Sequence, residues 1–202
     1  MKRKNNKFIE ISIAFILGIV LGVWGQDQGY FTDLIDHPKI PRYSTPAIKH
    51  YNISELSRSK VSTCFTPPAG CTEFIAHQID KAQESIYMHA YGMSDALITA
   101  ALIDAKERGV KVKILLDRSN LTQKFSKLQE LQRAKIEVGI DRVPGIAHNK
   151  VIIIDRKKVI TGSFNFTNSA DKRNAENVII IEDAELAKSY LQNWLRRKAQ
   201  NR

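Results

Sequence analysis

Residues 146–168 read Ile-Ala-His-Asn-Lys-Val-Ile-Ile-Ile-Asp-Arg-Lys-Lys-Val-Ile-Thr-Gly-Ser-Phe-Asn-Phe-Thr-Asn. Val151–Ile154 is apolar and β-branched, Asp155–Lys158 is a charged turn, and Val159–Thr161 is a second short apolar run. That order predicts a β-hairpin with a buried strand pair. Side chains alternate faces along a strand, so His148 and Lys150 should point one way, and Ser163 and Asn165 should share a face. Pairing would lay the start of one strand beside the end of the other. An imidazole, an ammonium, a hydroxyl and a carboxamide then converge. Packing does not call for that mixture, whereas a phosphate does: it takes a cation, neutral donors and a nucleophile or acid.

The chain has 202 residues, enough for one ordinary domain and an extension. Lys and Arg number 31 against 21 Asp and Glu, a formal net charge of +10. Such an excess favours polyanionic partners, either nucleic acid or an acidic lipid surface, without choosing between them.

Met1–Lys7 carries Lys2, Arg3, Lys4 and Lys7, and an apolar run of about fifteen residues ends at Gly25. Cations before an apolar run are the layout of a secretory signal or a membrane anchor. Counted from Phe8, the run nearly reaches the roughly twenty residues of a full span. Val23-Trp24-Gly25 is a poor cleavage site, so residues 1–25 are read as a retained anchor helix in the inner membrane. The domain is then expected on the periplasmic, extracytoplasmic side. The alternative is secretion after signal cleavage. Residues 26–59 are polar, carry Pro38, Pro41 and Pro46, and read as a linker in which His37 and His50 have no assigned role.

From residue 60 to 202 the pattern alternates. Strands are expected over 61–66, 85–93, 110–117, 136–140 and 175–181, and helices over 72–84 (capped by Thr72), 94–108, 124–134 and 184–198. With the hairpin, this predicts an α/β domain: a mixed β-sheet flanked by helices on both faces. Cys64 and Cys71 cannot alone make a four-ligand zinc site. An oxidising compartment would permit a disulfide between them, while the cytosol would keep two thiols. No metal constellation is visible, and no cofactor is expected.

His148-x-Lys150, four residues, Asp155, six residues, then Gly162-Ser163-x-Asn165 resembles the HKD signature of the phospholipase D superfamily, complete in residue type and spacing. From about Lys60 onward the chain is similar to that superfamily's domain. Among its members it resembles the single-motif enzymes: small exported bacterial endonucleases of the Nuc type and mitochondrial phospholipase-D-like nucleases. The resemblance implies that His148 attacks phosphorus, that Lys150 and Asn165 hold the non-bridging oxygens, and that Ser163 donates a further hydrogen bond. It implies that Glu176 orients the imidazole, and that the leaving-group acid is His148 of a second copy, hence a homodimer. Asp155 and Gly162 would be structural. Barrier lowering for a phosphodiester is on the order of 20 kcal/mol, here without a metal.

Weaker candidates are His89 and Asp117 at strand ends, Arg156, Lys157 and Lys158 in the turn, and Lys172 and Arg173 before Glu176. The reading that follows is a metal-independent nuclease acting on DNA, and on RNA as a further possibility. The alternatives are a phospholipase D-type lipid phosphodiesterase and a non-catalytic nucleic-acid-binding module.

Overall fold

A computed structural model describes residues 60–201. The expected anchor (1–25), the linker (26–59), His37 and His50 lie outside the described residues. Among those described, no helix is long and apolar enough to cross a membrane.

The hairpin forms. Strand β5 (Lys150–Ile154) pairs antiparallel with β6 (Lys158–Gly162), with Val151 opposite Thr161 and Ile152 opposite Ile160. Five further strands join it: β1 (Lys60–Thr66), β2 (Ser85–Ala90), β3 (Lys111–Asp117), β4 (Glu137–Asp141) and β7 (Glu176–Glu182). The order is β1-β7-β6-β5-β2-β3-β4. Pairs from β1 through β2 are antiparallel, and β2-β3-β4 are parallel, so the sheet is mixed. Every residue of β2 and β5 is buried. Central strands covered on both faces read as continuous apolar runs, which is why Val-Ile-Ile-Ile shows no alternation.

Helices cover both faces. On one face Ile86, Met88, Ile114, Ile152, Ile160 and Val178 meet Ile75 and Ile79 of α1 (Cys71–Asp80) and Ile98 and Leu102 of α2 (Ala96–Glu107). On the other, Tyr87, Leu115, Val151, Ile153 and Val159 meet Ala187 and Trp194 of the long helix that closes the chain. Each of the Ile, Leu, Val and Met side chains among them contributes about 1.5–3 kcal/mol on burial. The Trp194 indole N–H donates to Met88 O at 2.8 Å, so its polar atom is satisfied inside the core. Short helices α3 (Leu128–Arg133) and α4 (Asn168–Lys172) precede that closing helix, α5 (Ala184–Ala199).

Several boundaries differ from expectation. Thr72 does not cap α1. The helix starts at Cys71 after Gly70, and its first amides are met by the buried Asp171 carboxylate, which accepts from Gly70 N and Thr72 N at 3.0 Å each. That cap comes from a residue far along the chain, so local sequence does not announce it. Helix α1 stops at Asp80 because residues 83–85 turn to bind Asp155. Helix α2 begins at Ala96 rather than Ser94, because Asp95 caps it by accepting from Ile98 N at 3.0 Å. Residues 118–121 form a 3-10 turn, so α3 begins at Leu128 rather than Lys124. The Cys64 and Cys71 sulfurs are joined, tying β1 to the first residue of α1.

Asp155 sits at φ 52 at the far end of β5 from His148. Its carboxylate accepts from Gln83 N at 3.0 Å, Glu84 N at 2.8 Å and Ser85 N at 2.9 Å, and its own N–H donates to Ser85 O at 2.8 Å. It closes the α1–β2 turn onto the hairpin. Lys60 lies at that same end, paired through Glu182 with Lys158.

Candidate active site

The loop between β4 and β5 delivers His148. Ala147 N–H donates to Asp117 Oδ2 at 2.7 Å, and His148 N–H donates to Ile146 O at 3.0 Å. The imidazole is exposed and stands edge-on to the Tyr91 ring, with centroids 4.6 Å apart and planes at 63°. Lys150 opens β5 on the α1/α2 face, two residues before Ile152. It is only 8 % exposed. Its ammonium donates to His148 O at 3.2 Å and lies 5.3 Å from the Tyr91 ring centroid. Burial holds its pKa below the ordinary lysine value, and the nearby Glu176 charge acts against that.

The other half of the site leaves β6. Gly162 has φ 151, and a Cβ there would sit 2.2 Å from Asn177 O, so only glycine lets the two strands approach this closely. Beyond it, Phe164 and Phe166 are buried in the core. Alternation therefore turns Ser163 and Asn165 outward from it. Ser163 Oγ donates to Glu176 Oε2 at 2.5 Å and accepts from Asn177 N at 3.1 Å. The second Glu176 oxygen accepts from Asn174 Nδ2 at 2.9 Å, and Glu176 N–H donates to Thr66 Oγ1 at 3.1 Å. Among the described contacts, the Glu176 carboxylate therefore meets Ser163 and Asn174; none joins it to His148. Asn165 Oδ1 is buried without a hydrogen-bond partner.

The remaining candidates separate. His89 is buried on the α5 face, its Nε2 3.0 Å from Asp141 Oδ2, and Arg197 braces the same carboxylate. Burial lowers the His89 pKa, with Asp141 opposing; His89 is a buried residue partnered by Asp141. Asp117 is also buried, and burial would raise its pKa. Hydrogen bonds from Ser119 N and Ala147 N, with Arg118 nearby, outweigh that and hold it below the usual carboxylate value. Arg156–Lys158 lie at the opposite end of the sheet, where Lys158 pairs with Glu182 at 3.1 Å and Lys157 approaches Glu84 at 4.0 Å. Lys172 and Arg173 are exposed where α4 ends, just before Asn174. Sequence reasoning missed Tyr91. Its signal was an aromatic ending a buried strand, too common to be read alone. Among the described residues, no group of three or more His, Cys, Asp or Glu converges as a metal site would.

Comparison with known proteins agrees with this geometry. Residues 75–197 match the family described as "Cardiolipin synthase, PLD-like domain". A Rickettsia felis protein named phospholipase D is 81% identical over 201 residues, with full coverage of both chains. A mitochondrial cardiolipin hydrolase of Canis lupus familiaris is 31% identical, covering 64% of this chain and 55% of its own. Among solved structures, the phospholipase D family member Nuc of Salmonella typhimurium is similar with a TM-score of 0.68 and 37% identity, covering 71% of this chain and 97% of Nuc. NucT of Helicobacter pylori gives 0.62 and 25%, covering 70% and 96%. A domain-wide family match, carried by a chain whose His148, Lys150, Ser163, Asn165 and Glu176 gather at one end of the sheet, places this protein in the phospholipase D superfamily, as a phosphodiester hydrolase.

Proposed function

We propose that the domain is a metal-independent, non-specific endonuclease cleaving DNA, and RNA as a second substrate, through a phosphohistidine. His148 attacks phosphorus and the P–O bond to the leaving alkoxide breaks. His148 of a second copy protonates that oxygen, and water then attacks the phosphohistidine to release phosphate ester and free imidazole. A lysine ammonium has three protons; the one donated to His148 O leaves others for a non-bridging oxygen. Asn165 and Ser163 complete the cradle. Glu176 acts on His148 once phosphate has drawn the Ser163 hydroxyl away from it. With one such histidine per chain, the active unit is a homodimer with an isologous contact. A groove shared by two copies favours single strands.

The observation that carries nucleic acid as substrate is the charge of the catalytic end. Arg118 and Arg142 follow the ends of β3 and β4, Lys124 lies in the loop after the 118–121 turn, and Lys172 and Arg173 precede the start of β7; all five are exposed. Such a rim suits a polyanion. Likeness to Nuc over nearly all of that chain supports the same reading. The joined cysteines accord with an oxidising, extracytoplasmic location, to which residues 1–25 would anchor the domain.

A phospholipase reading is favoured by the relatives' printed names. Against it, the apolar space beneath Lys150, between Ile160, Phe164, Phe166 and Val178, has no room for a water molecule, let alone an acyl chain. One experiment decides. The full-length protein and its His148→Asn variant are incubated in EDTA with labelled single- and double-stranded DNA and with cardiolipin-containing vesicles. DNA cleavage in chelator that disappears in the variant is the expected result. Lipid turnover alone supports the phospholipase, and DNA retention without cleavage refutes both enzymes.

A further inference from the structure

The chemistry proposed above asks an imidazole and an ammonium to meet one phosphate, and the HKD residues alone do not fix both. His148 is exposed, and an exposed side chain samples several rotamers. Its described ring contact is Tyr91, edge-on at 4.6 Å. The same ring has Lys150 Nζ 5.3 Å from its centroid, inside the roughly 6 Å reach of a cation–π attraction. One aromatic side chain thus touches both groups.

Tyr91 is itself well held. Its N–H donates to Asn149 O at 2.8 Å, and its carbonyl accepts from Asn120 Nδ2 at 2.7 Å. The next residue, Gly92, is packed so that a Cβ would meet Thr167 Cγ2 at 3.2 Å, on the segment that carries Asn165. The ring therefore stands on backbone fixed to the His148 loop, to the 118–121 turn and to the Asn165 segment. Its electron-rich face also compensates an ammonium that has lost most of its water.

We propose that Tyr91 is a positioning residue for phosphoryl transfer: its ring holds the His148 imidazole in the attacking orientation and the Lys150 ammonium at the height of the phosphate. The inference rests on the His148–Lys150 chemistry proposed above, not on the nature of the alcohol esterified. Leucine fills much of the ring's volume but has no quadrupole, whereas phenylalanine keeps both.

The test uses the full-length protein, its Tyr91→Phe and Tyr91→Leu variants, and bis(p-nitrophenyl) phosphate, a phosphodiester with neither base nor acyl chain. Tyr91→Phe should stay within about threefold of wild-type kcat and Tyr91→Leu should fall about 10²-fold, the scale of a small misplacement of a reacting group. Proton NMR of the His148 ring gives a readout that folding alone does not move. The ring-current displacement of its carbon-bound protons should persist in Tyr91→Phe and vanish in Tyr91→Leu. Wild-type kcat in Tyr91→Leu overturns the proposal. So does a Tyr91→Phe variant as slow as Tyr91→Leu, which would assign the work to the hydroxyl. If Tyr91→Leu does not fold, the wild-type spectrum decides: His148 protons at free-histidine positions overturn the contact. A wild-type protein that cleaves no phosphodiester refutes the enzymatic reading instead, and the spectrum still judges the Tyr91–His148 contact.

Discussion

The Asp117 carboxylate accepts the Ala147 amide at 2.7 Å, one residue ahead of the proposed nucleophile. Its other oxygen accepts Ser119 N at 2.9 Å, so one side chain joins the end of β3 to the His148 loop. Removing it in Asp117→Ala leaves buried amides unmet, at about 1–3 kcal/mol each. Thermal unfolding should report that loss, and kcat should fall about tenfold or more as the loop drifts. The sign with pH follows from the lowered pKa. The stability Asp117 contributes is fully present above its ordinary value of 3.8 and is lost as pH falls from there through the lower folded value. Acid unfolding of Asp117→Asn should therefore be shallower in that range than that of wild type.

Lys150 should show opposite signs for stability and activity. Its pKa is lowered in the folded state by burial. The charged form is thus a burden on the fold at neutral pH. That burden is relieved as pH rises through the folded value toward the ordinary 10.5. Activity, which in the proposed mechanism draws on the ammonium, should decline over that same alkaline window. Lys150→Met should abolish turnover yet unfold at an equal or higher temperature. A clear drop in its melting temperature would contradict this account.

Gly162→Ala should be disproportionately harmful. The φ of 151 disfavours any L side chain, and the new Cβ would meet Asn177 O at 2.2 Å. The cost should exceed about 1 kcal/mol. Because Ser163 follows directly and binds Asn177 and Glu176, turnover should fall as well, measured below the variant's own melting temperature.

Asp155, although part of the HKD signature, should behave as a stability residue. Its carboxylate accepts three backbone amides at the far end of the sheet. Asp155→Ala should lose about 1.5–3 kcal/mol of stability, the range for hydrogen bonds to a charged group. At a temperature where the variant stays folded, kcat should match wild type. A large loss of kcat with unchanged melting would place Asp155 in the chemistry after all.

Much of this was legible because short-range rules apply where the chain is regular. The Val-Ile-Ile-Ile run, its charged turn and Gly162-Ser163-x-Asn165 describe a hairpin and its outlet, and that hairpin is present. The helices on both faces follow from the alternation of elements. What was hidden depends on residues distant in sequence. Asp171 caps α1, Asp117 braces the His148 loop, and Thr66 receives the Glu176 amide; each partner is read only once the sheet order is known. The hydroxyl of Ser163 turning to Glu176 belongs to the same class. Alternation assigned it a face, but it could not name the neighbour across β6 and β7.

The first described strand enters the sheet at Lys60, opposite Glu182, at the same end of the sheet as the Asp155 turn, with His148 at the opposite end of the strands. Five-residue β5 alone spans about 17 Å at the usual rise per residue. Residue 60 therefore lies at the rear of the described domain. A surface linkage or a bead attached at residue 60 itself leaves the front open to a long polymer, so a domain immobilised there should keep its mouth unobstructed.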